Sequence, residues 1–76
     1  MRLSELKDYI QKLTSHVLFE YKGTNCGIDP FSAYHFDMWY GKDYYKAESI
    51  DEVMNHPLFD GKSLTEIFGE ITNLDF

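Results

Sequence analysis

Seventy-six residues make one small domain whose core has to be dense, and six Tyr, six Phe and one Trp supply that density in large rings, which excludes a disordered chain. The lone Cys26 excludes an internal disulfide and points to a reducing, cytoplasmic setting; no opening segment reads as a signal peptide, and no apolar run reaches the roughly 18 residues of a membrane span. The net charge of −6 falls in residues 48–76, where seven acids face Lys62 alone, whereas residues 1–47 balance six acids with six bases, a distribution that argues against direct nucleic-acid binding.

Leu3, Leu6, Ile10 and Leu13 recur at helical spacing, with Tyr9 widening the stripe and Glu5, Lys7, Asp8, Gln11 and Lys12 opposite. The spacing predicts an amphipathic helix of about three turns, with Ser4 placed to cap it. From His16 the period changes to two. Val17, Phe19 and Tyr21 share one side of a strand and His16, Glu20 and Lys22 the other, with Leu18 breaking the alternation so that both faces are partly covered. Gly23-Thr24-Asn25 reads as a turn and Gly27 as a second bend, while Asp29-Pro30 reads as the cap and first residue of a single helical turn through Ala33.

Tyr34, Phe36, Met38 and Tyr40 then alternate with His35, Asp37 and Trp39, and Gly41-Lys42 suits a two-residue type II′ turn. That turn sets a register: Tyr40 against Asp43, Trp39 against Tyr44, Met38 against Tyr45, Asp37 against Lys46, Phe36 against Ala47 and His35 against Glu48. One face is apolar core. The other pairs Asp37 with Lys46 and His35 with Glu48 as opposite charges, beside the two rings of Trp39 and Tyr44. Ser49-Ile50-Asp51-Glu52 and Ser63-Leu64-Thr65-Glu66 are both capping boxes. The first opens a short helix that Pro57 ends near Asn55; the second opens a last helix striped by Leu64, Ile67, Phe68 and Ile71, with Gly69 inside it.

Chemistry-bearing patterns are sparse. Gly61-Lys62-Ser63 resembles the end of a phosphate loop, but the position five residues before Gly61 is His56, and Pro57 stiffens the approach. Cys26, His16, His35 and His56 stand on four separate segments without the close spacing of a structural zinc site. Cys26 has only Lys22 near it in sequence to activate a thiolate. No catalytic residue, cofactor or metal is assigned, and the reading is of a non-enzymatic chain.

The expected fold is α+β: an N-terminal helix, a three-stranded antiparallel sheet and two short C-terminal helices packed on one sheet face. The expected function is a protein-binding or accessory regulatory module, meeting a protein partner or a second copy of itself through Trp39, Tyr44, His35, Asp37 and Lys46. Either the Trp39 and Tyr44 rings face water, or the Phe31 loop or the Leu74–Phe76 tail folds over them. The alternative from a different class is an acidic inhibitor whose C-terminal helices mimic nucleic acid.

Overall fold

In the computed structural model, which describes residues 1–76, the chain runs α1 (Leu3–Gln11), β1 (Val17–Tyr21), β2 (Thr24–Ser32), β3 (His35–Tyr40), β4 (Asp43–Ala47), α2 (Ile50–Asn55), α3 (Leu64–Ile67), a 3₁₀ turn (Phe68–Glu70) and β5 (Thr72–Asp75). The sheet has five strands, not three. It is antiparallel in the order β4-β3-β2-β1-β5, a meander of four strands with the C-terminal strand returning to pair with the first.

Two strands escape the sequence reading, each for a local reason. Residues 24–32 do alternate: Cys26, Ile28 and Pro30 are buried, and Asn25 and Asp29 point the other way. Gly27 and Pro30 disguise the pattern as bends. Pro30 is tolerated because the ladder alternates. Gly41 N–H donates to the Asn25 carbonyl at 2.8 Å, so on β2 the odd residues bond to β3 and the nitrogen of Pro30 turns toward β1. But β1 begins at Val17, opposite Ile28, so no partner loses a bond. The second strand, β5, is four residues of which only Leu74 is apolar, too little to carry a period.

The β3–β4 hairpin has the expected register from Tyr40–Asp43 to Phe36–Ala47. Gly41 takes φ +58° while Lys42 does not enter the left-handed region, as a type II′ turn requires. The ladder stops at Ala47, so the expected His35–Glu48 pair does not form, and His35 instead lies opposite Ser32. Tyr34, assigned above to the core face, sits in the β2–β3 turn and is 80% exposed.

All helices pack on one face, as expected. Leu6 and Ile10 of α1, Val53 and Met54 of α2, and Leu64 and Ile67 of α3 share one cluster with Val17, Phe19, Ile28, Phe36 and Met38 of the sheet. Phe59, between α2 and α3, packs its ring on Phe19 and Tyr40. The first helix starts two residues earlier than a Ser4 cap allows: Arg2 is its N-cap, and the Arg2 N–H donates to Glu5. The last helix is shorter than its apolar stripe, giving way after Ile67 to the 3₁₀ turn that contains Gly69. No helix is long and apolar enough to cross a membrane.

Candidate functional site

With every helix on the Phe36/Met38 side, the opposite face of the sheet is built from strand residues alone. Pair registers arrange it in rows across the strands. The central row runs Asp75, Leu18, Gly27, Trp39, Tyr44 from one edge to the other. On one side of it lies the row Asp29, Asp37, Lys46, followed by Ser32 opposite His35. On the other lies Glu20 opposite Asn25. All five residues singled out in the sequence, Trp39, Tyr44, His35, Asp37 and Lys46, share this face.

Gly27 explains how Trp39 is held. A Cβ built on Gly27 would lie 2.1 Å from Cζ2 of the indole, so the ring lies across the β2 backbone where a side chain would otherwise stand. Trp39 is therefore half-buried from below by its own sheet and has no helix above it. Tyr44 beside it is 60% exposed. Neither of the segments expected as covers does that work. The tail becomes β5, and Phe76 packs edge-on against Tyr9 of α1, ring centroids 4.7 Å apart. Phe31 is 58% exposed and lies against the His35 ring, 4.9 Å between centroids, at the far end of the face.

Asp37 organises the aromatic end of the face. Its Oδ1 accepts from the Tyr44 hydroxyl and sits 2.9 Å from His35 Nε2. These bonds, the tyrosine's first, hold its carboxyl below the usual carboxylate range. The Asp37–Lys46 ion pair expected from the register is replaced by them: Lys46 lies opposite Asp37 but makes no salt bridge to it. His35, on the same strand two residues away, and Tyr44, one row over, reach the carboxylate first. Directly across from Asp37 on β2 stands Asp29, a like-charged pair that ordinary sheet design avoids.

The residues that sequence reasoning missed are those of β1, β2 and β5. Together with Trp39 they frame a shallow groove of about 420 Å³, lined by Leu18, Glu20, Asn25, Asn73 and Asp75 among others. Asn73, at φ +54°, donates from Nδ2 to Glu20 Oε2 at 2.8 Å and so fixes that carboxylate over the sheet. Only the alternation of residues 24–32 could have pointed to this region. Cys26 lies under it but is buried, and desolvation pushes its thiol up to about 11, so it is no nucleophile at neutral pH. No three His, Cys, Asp or Glu side chains come together as metal ligands. Compared with protein-family models, curated proteins and solved structures, the chain finds no match.

Proposed function

We propose that this chain is a protein-binding module without chemistry of its own, and that the open sheet face grips a partner protein with a basic surface. The observation that carries this reading is Trp39, seated flat on Gly27 at the centre of a face that no helix covers, with Tyr44 exposed beside it. Rigid aromatics at the centre of a patch supply most of the energy of protein contacts. The surround selects the partner. Glu20, Asp29, Asp37 and Asp75 ring the indole and Lys46 is the one lysine in these rows, so the face is acidic. A second copy of the chain would bring like charges together, whereas a basic surface is steered in.

The nucleic-acid-mimic reading finds less support. Of the seven acids in residues 48–76, Glu52 is bonded to Tyr45, Asp60 to Lys22 and Glu66 to Ser63, while Asp75 lies in the groove on the other side of the sheet. The helices offer no continuous array of free carboxylates.

A photo-crosslinking side chain at Tyr44, compared in the native host with one at the exposed Asp51 of α2, tests the proposal. The expected result is an adduct with a basic protein from position 44 and none from position 51. That protein, purified, should bind the wild-type chain and lose at least about tenfold affinity to Tyr44→Ala, as for a hot-spot aromatic. Equal labelling from both positions, or an unchanged affinity, overturns it.

A further inference from the structure

The groove beside Trp39 has a chemistry more specific than an acidic surface. The indole, laid flat on Gly27 with its upper face open, borders it on one side. Around the rest stand two carboxylates, Glu20 and Asp75, two amides, Asn25 and Asn73, and the aliphatic Leu18, and no lysine or arginine lines it. Glu20 is not free to wander: Asn73 occupies Oε2, which leaves Oε1 available to a ligand. Its volume, about 420 Å³, is within the range of sites that take small organic groups.

We infer that this groove is the arginine-binding subsite of the contact face, taking the side chain of one arginine from the partner; the inference rests on the proposed function above. A guanidinium is flat, weakly hydrated and permanently charged. It stacks on an indole and still presents edge N–H groups to carboxylates in the same plane. An ammonium satisfies the charge but neither the stacking nor the forked hydrogen bonding. Leu18 accommodates the methylene stem, and the Asn25 and Asn73 amides complete a polar rim. The Asn73 backbone in the left-handed region serves the same end, since Asn is among the few side chains that tolerate it and can also orient the Glu20 carboxylate.

Because Trp39 is the sole tryptophan, its emission reports on the groove directly. Hexa-arginine, hexa-lysine and hexa-glutamate peptides are titrated into the intact chain at fixed ionic strength. Hexa-arginine is expected to change Trp39 emission saturably, with hexa-lysine at least about fivefold weaker and hexa-glutamate silent. The Glu20→Gln/Asp75→Asn double variant should lose at least about tenfold affinity for hexa-arginine. The charge-matched control Glu48→Gln/Asp51→Asn, neither residue lining the groove, should stay within about twofold of wild type; circular dichroism verifies that both variants fold. No change in emission, equal affinity for the lysine peptide, or equal losses in the two double variants each overturns the arginine subsite. The crosslinking result from position 44 is independent of this titration. A partner that depends on Tyr44 but ignores Glu20→Gln/Asp75→Asn leaves the contact face standing and removes the groove.

Discussion

Gly27 is the residue on which the open face depends, and the reason is volume rather than backbone freedom. Glycine in a strand interior is ordinarily a weakness. Here the missing side chain is replaced by the indole of Trp39, which covers the bare backbone and is itself immobilised. Gly27→Ala places a methyl 2.1 Å from Cζ2, far inside contact distance, so the ring has to lift. Since nothing packs above it, the ring moves toward water rather than breaking the core. The expected cost is about 1–3 kcal/mol, the range for forced overpacking, with a red shift of Trp39 emission. Thermal unfolding and fluorescence of the variant check this; wild-type values for both would mean that the indole does not rest on Gly27.

Among the elements, the short C-terminal helices depend most on their ends. Helix α2 has six residues and α3 four, well below the length at which a helix holds itself together. Each is started by a serine whose hydroxyl accepts from the N–H three residues on, Ser49 from Glu52 and Ser63 from Glu66. At α3 the box closes in both directions, since Ser63 N–H donates to Glu66 Oε1. Ser63 is buried and Ser49 only half-buried, so truncation at 63 strands a donor farther from water. Ser49→Ala is expected to cost about 0.5–1 kcal/mol and Ser63→Ala about 1–2 kcal/mol, nearly additive because the caps belong to different helices. Urea midpoints of the two single variants and the double variant measure it, and two wild-type midpoints would remove capping as the cause of these helices.

At the scale of the whole molecule, acid is the condition that should undo the fold. Four carboxylates titrate below their ordinary range through bonds that exist only in the folded chain: Asp37 through Tyr44 and then His35, Glu52 through Tyr45, Asp60 through Lys22 and Glu66 through the Ser63 N–H. With native values depressed, the unfolded chain binds more protons across that interval, so stability rises with pH through it. The contribution is complete above the unfolded values near pH 4 and is lost as pH falls through the native ones. All four are accessible to solvent, so each term is modest and it is their sum that shows. Melting temperature should be flat from about pH 8 to 5 and fall below about pH 4, with a shallower fall in the Tyr44→Phe/Tyr45→Phe variant. An identical acid limb in that variant would detach these tyrosines from acid stability.

The local parts were legible in residues 1–76 because their signals are local. The 3.6-residue stripe of α1, the serine caps of α2 and α3 and the β3–β4 register across Gly41-Lys42 are each decided within a dozen neighbouring residues, where propensity and pairing act. Only at α3 does the expected capping box close in both directions, since Glu52 accepts from the Glu48 N–H and the Tyr45 hydroxyl instead. That register is also why Trp39 and Tyr44 could be placed on the face away from the core. The strands beyond it were not legible, because what makes them strands lies elsewhere in the chain. Pro30 is admissible in β2 only because β1 begins at Val17, opposite Ile28, and does not extend alongside it, and Gly27 only because Trp39 returns to cover it. Four mostly polar residues become β5 only because the edge of β1 is free to pair. The groove follows from the same fact: Trp39, Glu20 and Asn73 are far apart in sequence and meet through strand pairing alone. Sequence determined the hairpin and the starts of the two C-terminal helices, where a residue and its partner are neighbours. Tertiary structure decided the sheet's edges and the groove, where the bonding partners are supplied by distant segments.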